Sequence, residues 1–169
     1  MLNPIDTDHV IRDGGAHGRV PDQVHAGVAW WIAACFVVTM RARRLVVAHD
    51  GRAASAEFFD LLLRGAVNAR HYACQVLDLG RADEGSLLAA MHRIADAPGI
   101  LVTTKEASNK TVHVTIALFG RDGRPVDEPG GLAAIRRMIA EDRVPIPVNK
   151  SSKGSVRPYP STTGEDPDE

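Results

Sequence analysis

The sequence predicts an α/β protein, a three-layer α/β/α sandwich on a four-stranded, mostly parallel mixed sheet. Short apolar runs rich in β-branched residues alternate along the chain with segments whose apolar residues recur at helical spacing. The last two runs are joined by only a short polar loop, so we expect the final strand to be antiparallel to its neighbour. The chain has 169 residues, of which 44% are hydrophobic, and this is enough for one buried core.

Three segments are expected along the chain. Residues 1–20 are glycine-rich and are predicted to be irregular, and residues 21–142 are predicted to form the α/β domain. Residues 143–169 combine proline, serine and acidic residues, a composition that buries too little apolar area to offset chain entropy. We therefore expect a disordered tail.

The first helix is expected from Pro21 to Arg43, with proline at a position where its missing N–H has no cost. Its apolar stretch, Ala26 to Met40, is shorter than the ~20 residues of a membrane span, so it indicates a buried helix. A strand follows at 45–48, and Ser55 is the expected N-cap of the next helix. The predicted helices after the first are 56–69, 86–95 and 132–141, and the strands after the first are 72–79, 100–103 and 112–119.

Charge and cysteine content narrow the function classes. Twenty Lys and Arg residues against 21 Asp and Glu give a net charge of −1, which does not indicate nucleic acid or an acidic membrane as a partner. Cys35 and Cys74 lack CxxC spacing and are expected to be buried, reduced thiols, so we expect a cytoplasmic location. The seven histidines show no paired ligand spacing, and no metal site is predicted.

Two polar loops contain the candidate ligand-binding residues. One follows the predicted strand 45–48 at its carboxyl end, where ligands bind in open α/β sheets. An arginine there could bind a phosphate or carboxylate, or these residues could simply organise the turn. The second loop is polar and basic and could hold an anion, or it could be a solvated surface loop. The candidates are His49, Asp50 and Arg52 in the first loop and Lys105, Asn109 and Lys110 in the second.

Adjacent tryptophans in the first helix are candidate interface residues. Trp30 and Trp31 point about 100° apart on a helix, so at least one is expected outside the main core. Such an indole could belong to a protein interface or to a second packed layer.

Four short strings, taken in order and spacing, carry a family resemblance. Val47–Arg52 resembles the pattern Val-Gly-His-Asp-Xaa-Arg, and Leu118–Val126 resembles Leu-Phe-Gly-Xaa-Xaa-Gly-Xaa-Pro-Val. Gly18–Asp22 and Val76–Gly80 resemble the opening segment and a Val-Val-Asp-Leu-Gly strand of the same proteins. Over residues 16–142 the chain resembles the first domain of the α-D-phosphohexomutase family, the phosphomannomutases and phosphoglucomutases.

The resemblance implies phosphoryl transfer between two hexose hydroxyls through a phosphoserine. The family's loop reads Thr-Ala-Ser-His-Asn-Pro, whereas residues 103–110 read TTKEASNK, so Ser108 is the candidate phospho-acceptor in a degenerate loop. The family's opening arginine falls on His17. The metal, sugar-reading and phosphate-binding loops that the family places in later domains have no counterpart in the sequence, so Mg²⁺ is expected only with a complete mutase.

These observations predict a stand-alone pseudoenzyme, catalytically silent by itself, that acts as a binding or regulatory module of hexose-phosphate metabolism. Its expected partners are a second copy of the chain or a full-length phosphohexomutase, with a sugar phosphate as a possible ligand. The alternative is part of an intramolecular phosphotransferase that uses Ser108 with partner domains in trans. A third reading is a remnant with no selected activity.

Overall fold

A computed structural model describes residues 5–69, 74–95, 97–107, 110–145 and 153–160. The predicted α/β class is confirmed, with one mixed sheet of seven strands and helices packed against it. The strands are β1 (Ile11–Arg12), β2 (Gly15–Val20), β3 (Arg44–His49), β4 (Gln75–Arg81), β5 (Gly99–Glu106), β6 (Val112–Phe119) and β7 (Ser155–Pro158). The helices are α1 (Thr7–Val10), α2 (Gly27–Met40), α3 (Ala53–Val67), α4 (Glu84–Arg93) and α5 (Ala133–Ala140), with a kinked turn at Glu128–Leu132.

The sheet has a parallel half and an antiparallel half. Its strand order is β1-β2-β6-β5-β3-β4-β7, in which β3 is parallel to β4 and β5, and β4 is parallel to β7. The pairs β5–β6, β6–β2 and β2–β1 are antiparallel. The predicted antiparallel direction of the strand at 112–119 is therefore correct, but the sheet is not mostly parallel as predicted, because β1 and β2 add antiparallel pairs.

The predicted number of strands, four, is wrong because β1, β2 and β7 also join the sheet. The glycines that suggested an irregular segment over residues 1–20 instead permit close strand pairing, since a Cβ atom at Gly15 would lie 2.0 Å from the carbonyl oxygen of Ile116. Strand β7 lies in the expected disordered tail, and its exposed residues pair their backbone with β4. Residues 146–152 and 161–169 of that tail lie outside the described residues.

Helices pack on both faces of the sheet. Helices α2, α3 and α5 share one core with Leu45 and Val47, whereas α4 packs against Val46 and Ala48 on the other face. This alternation along β3 gives the three layers that the sequence predicts. Helix α4 lies on β3 and β5, and on the same face of β2 and β6 the described residues Arg19 and His113 are exposed and half-buried, respectively.

Two helix starts differ from the expectation. Helix α2 begins at Gly27 rather than Pro21, because the preceding residues form a separate turn in which the Gln23 side chain accepts a hydrogen bond from the Arg19 N–H at 2.9 Å. Helix α3 begins at Ala53, so Ser55 is a buried residue of its first turn and not its N-cap. The expectation that the apolar stretch forms a buried helix is confirmed. In the part of the chain that the structure describes, no helix combines the length and apolar character needed to cross a membrane.

Helices α2 and α3 approach each other closely at Gly65. A Cβ atom there would lie 2.4 Å from the Trp30 carbonyl oxygen, so only glycine fits this contact. The indoles of Trp30 and Trp31 are both half-buried and pack against the main core, and Trp31 contacts His25 edge-on at 5.0 Å between ring centroids. The structure therefore places neither indole wholly outside the core.

Candidate functional site

The turn between β3 and α3 is organised by the carboxylate of Asp50. Its Oδ2 accepts a hydrogen bond from the Thr104 N–H at 2.8 Å. Its Oδ1 accepts from the Arg52 N–H at 3.0 Å and from the Ser55 hydroxyl at 2.7 Å. The Ser55 and Thr104 hydroxyls are themselves 2.9 Å apart. One side chain thus joins the ends of β3 and β5 to the first turn of α3.

These contacts hold Asp50 in its charged form. Burial acts to raise the pKa of Asp50, but the hydrogen bonds from Thr104, Ser55 and Arg52, together with the charge of Arg52, outweigh it. The pKa of Asp50 therefore lies below its ordinary value. With three donors on its oxygens, Asp50 has the geometry of a turn-forming residue, the alternative that the sequence left open.

The other two candidates in this turn differ in accessibility. The Nδ1 atom of His49 accepts a hydrogen bond from the Gly51 N–H at 2.9 Å, and its ring packs on Phe59 at 4.5 Å between centroids. Gly51 has φ +80°, a conformation that favours glycine. The Arg52 side chain is 58% exposed and lines an open groove of about 450 Å³ with Thr104.

The candidates of the second loop lie in the β5–β6 hairpin. Lys105 is an exposed residue of β5, and Lys110 is exposed with φ +59°. The Ala107 N–H donates to the Thr111 carbonyl oxygen at 2.7 Å, which closes the hairpin at its base. Ser108 and Asn109 lie outside the described residues. Thr104 bonds towards α3, so the next residue, Lys105, lies on the opposite face of the sheet. The structure thus separates Lys105 from Arg52.

The sequence alone does not reveal a set of basic side chains on the accessible face of β2, β6 and β5. Lys105 lies opposite His113, which lies opposite Arg19, and directly opposed residues of antiparallel strands share a face. We name these three residues the basic row. His17, two positions before Arg19, lies on the same face beside it. His113 alternates with buried apolar residues in 112–119, but its partners on β2 were hidden by the expectation of an irregular segment.

The surroundings of His113 show how strongly cationic this face is. Burial, first, and the charges of His17, Arg12 and Arg19 lower the pKa of His113 below its ordinary value. Arg19 has one anionic neighbour, Asp22 at 2.9 Å, and its hydrogen bond to that carboxylate lowers the pKa of Asp22. No carboxylate of the described residues lies within 4.0 Å of the Lys105 ammonium group.

The described residues do not fit a metal ion. Among them, no three His, Cys, Asp or Glu side chains lie close enough together to hold one. The carboxylate best placed at the sheet edge, Asp50, already accepts hydrogen bonds from three donors.

Relatives of the chain are hexose-phosphate mutases. A phosphohexose mutase of Xanthomonas campestris pv. campestris is 27% identical over 125 residues, and a phosphomannomutase of Salmonella typhimurium is 25% identical over 140 residues. The matches cover 74% and 83% of this chain but only 27% and 29% of those proteins. The chain thus spans less than a third of the length of these curated relatives. No family model matches it.

Solved structures share the fold. A phosphoglucomutase/phosphomannomutase family protein from Burkholderia thailandensis superimposes with a TM-score of 0.68 at 20% identity, covering 92% of this chain and 34% of that one. A putative phosphomannomutase from Thermus thermophilus gives a TM-score of 0.61 at 18% identity, covering 88% and 33%. The predicted resemblance is therefore confirmed: over most of its length the chain is similar to one domain of phosphohexomutase-family proteins.

Proposed function

We propose that this polypeptide is a sugar-phosphate-binding module of the phosphohexomutase type that does not complete the mutase reaction by itself. The observation that carries this proposal is the basic row, in which Lys105, His113 and Arg19 come from three adjacent strands and share an accessible face. In the sequence, Ser108, the candidate phospho-acceptor, follows Lys105 of the row by three residues.

A phosphate ester fits the chemistry of this face. Lysine binds phosphate as a point charge, and the arginine guanidinium offers several N–H donors. A neutral His113 adds a hydrogen-bond donor, and protonation of His113 adds a third positive charge. The names of the relatives, phosphohexose mutase and phosphomannomutase, support a hexose phosphate as the ligand.

The proposed lack of turnover rests on what phosphoryl transfer requires. The reaction needs a positioned nucleophile and strong stabilisation of charge on the transferring group, usually with a metal ion. The acidic metal loop and the sugar-reading loop that the resemblance implies have no counterpart in the 169 residues. A serine hydroxyl without a base or metal to activate it is a weak nucleophile.

Binding and turnover are tested separately. We expect calorimetric titration with glucose 1-phosphate and mannose 1-phosphate to give saturable binding, and glucose to give none. Lys105→Gln should weaken the binding of both sugar phosphates. Arg157→Gln, which removes an exposed arginine on β7, should leave their binding unchanged. If neither sugar phosphate binds, the proposal that the ligand is a hexose phosphate is refuted. Sustained mutase activity of the purified polypeptide would refute the proposal that the polypeptide is inactive by itself.

One observation favours the alternative of a phosphotransferase part, namely that Ser108 follows Lys105 by three residues. The chain is incubated with glucose 1,6-bisphosphate and Mg²⁺, and its intact mass is measured. A phosphate adduct that Ser108→Ala abolishes would support transfer with partner domains in trans. Unmodified protein would support binding alone.

A regulatory module needs a partner, and we propose that the partner is a second copy of the chain or a full-length phosphohexomutase. We propose that the protein is located in the cytoplasm. The half-buried indoles of Trp30 and Trp31 support an interface on α2, and the buried thiols of Cys35 and Cys74, outside any disulfide, support a reducing compartment. Light scattering after size exclusion should give a dimer mass that falls in Trp31→Ala. A monomer at all concentrations would refute self-association.

A further inference from the structure

A second cationic region lies at the opposite edge of the sheet, where β3 and β5 begin. Four arginines line a cleft of about 390 Å³ there, and its remaining wall is apolar. We name it the arginine cleft. The arginines are Arg41, Arg43, Arg44 and Arg121, and the wall consists of Ile94, Ala95, Ala97 and Pro98.

Capping of α2 accounts for Arg121 but not for the other three arginines. A helix C-terminus favours cations because its last carbonyl groups lack partners. In α2, however, the N–H groups of Arg41 and Ala42 already donate to the carbonyl oxygens of Val38 and Val37. The Arg121 guanidinium donates to the Met40 carbonyl oxygen at 2.7 Å.

Three of the guanidinium groups have no partner within the described part of the chain. No side-chain hydrogen bond and no carboxylate within 4.0 Å is found there for Arg41, Arg43 or Arg44. Asp122, beside Arg121, accepts the Arg124 N–H at 3.0 Å. Asp96 is adjacent in sequence to the wall and lies outside the described residues. Even with both carboxylates counted, four arginines leave an excess of positive charge.

We propose that the arginine cleft binds an organic phosphate with more than one negative charge. The planar guanidinium group matches phosphate oxygens in a bidentate manner, and several converging arginines favour a multiply charged group. The cleft volume lies within the range of about 300–1,000 Å³ of small-ligand sites, and its apolar wall can contact the organic part.

This site is separate from the basic row. Lys105 lies near the carboxyl end of β5, whereas Pro98 directly precedes the amino end. Eight residues of an extended strand place these ends about 23 Å apart. The cleft therefore supplies a second anion site, and binding there does not depend on the function proposed above.

The test uses inorganic pyrophosphate as the probe, titrated calorimetrically in 0.15 M NaCl. We expect one saturable high-affinity site per chain, weakened at least tenfold in the double variant Arg43→Gln/Arg44→Gln. The control Arg157→Gln should leave this site unchanged, and Lys105→Gln should affect only the weaker binding at the basic row. Lack of saturation, or equal weakening by Arg157→Gln, would mean diffuse charge attraction and would overturn the proposal.

Two further measurements keep the result independent of folding defects and define the ligand class. Pyrophosphate should raise the melting temperature of the wild type more than that of a folded double variant; an equal rise in both would overturn the assignment. Phenyl phosphate should bind more tightly than inorganic phosphate if the apolar wall takes part. Equal affinities would refute the proposal that the apolar wall contacts an organic part of the ligand.

Discussion

The turn after β3 and the accessible face of β2 and β6 both present polar side chains at the carboxyl edge of β5, but they differ in how those side chains are engaged. In the turn, Asp50 accepts three hydrogen bonds and is mostly buried, with 18% of its side chain exposed. On the face, Lys105 is exposed, and Arg19 has one exposed carboxylate partner.

Because of this difference, we expect the turn to govern the stability of the fold and the basic row to govern ligand binding. A buried polar group with all its partners makes a large contribution to folding, because removing it leaves other buried groups unpaired. An exposed cation contributes little to folding and keeps its donors for a ligand. Substitutions in the turn should therefore change the free energy of unfolding, and substitutions in the basic row should change the affinity for phosphates.

The largest effect is expected from Asp50→Ala. The Thr104 N–H would lose its acceptor next to a buried hydroxyl pair, so we expect a loss of about 3 kcal/mol in the free energy of unfolding, measured by urea denaturation. Arg52→Ala is the control, since its guanidinium is largely exposed and lies 3.9 Å from the carboxylate, and it should cost less than about 0.5 kcal/mol. Equal losses in both variants would show that the turn depends on the ion pair.

Next in size is Lys105→Ala in the basic row. Loss of one phosphate contact should weaken the binding of glucose 1-phosphate about tenfold, which corresponds to about 1.4 kcal/mol. The full contact is available to the ligand because the ammonium group has no competing carboxylate among the described residues. Its free energy of unfolding should stay within about 0.5 kcal/mol of the wild type. If Lys105→Ala left the affinity unchanged while Arg52→Ala reduced it, the groove beside Arg52 would be the binding site instead.

The decrease in the free energy of unfolding at acidic pH offers a smaller test of the role of Asp50 in the turn. The pKa of Asp50 is lowered in the fold, so its stabilisation is present above the ordinary aspartate pKa of about 3.9 and is lost as pH falls through the folded value. Asp50→Asn should be less stable than the wild type by about 1–2 kcal/mol at pH 7. The difference in the free energy of unfolding between Asp50→Asn and the wild type should disappear at acidic pH. Asp22, Asp83 and Glu128 also have lowered pKa values, but they are present in both proteins and cancel.

Local patterns in the sequence predicted the layers and the parallel half of the sheet, because those signals lie within a few residues of one another. The bounds of β6, 112–119, were predicted as observed. Strand β2 was missed because its glycines indicated irregular structure, and only the contact of Gly15 with Ile116 shows why glycine is needed. The role of Ser55 depends on Thr104, 49 residues away.

The candidate site was harder to predict than the fold, since a site depends on register. The sequence placed the His49–Arg52 string at the carboxyl end of a strand, and the structure has Asp50 there, beside Thr104. The basic row combines residues from three strands, and no single segment contains its pattern. Pairing of β2 with β6 had to be known before His113 and Arg19 could be placed together.

The smallest expected effect concerns the charge of His113. Burial and its cationic neighbours lower its pKa, so the neutral form is favoured in the fold, and its contribution to stability is present above the ordinary histidine value of about 6.5 and is lost as pH falls through the lower folded value. An anion bound on the basic row reverses this preference by favouring the imidazolium. Inorganic sulfate, whose charge is constant over this range, should therefore raise the pKa of His113 in an NMR titration and bind a few-fold more tightly at pH 5.5 than at pH 7.5. His113→Gln should reduce that pH dependence while leaving Asp50 and its turn intact. If the pH dependence persists unchanged, His17 or another group must carry it, and His113 is not part of the anion site.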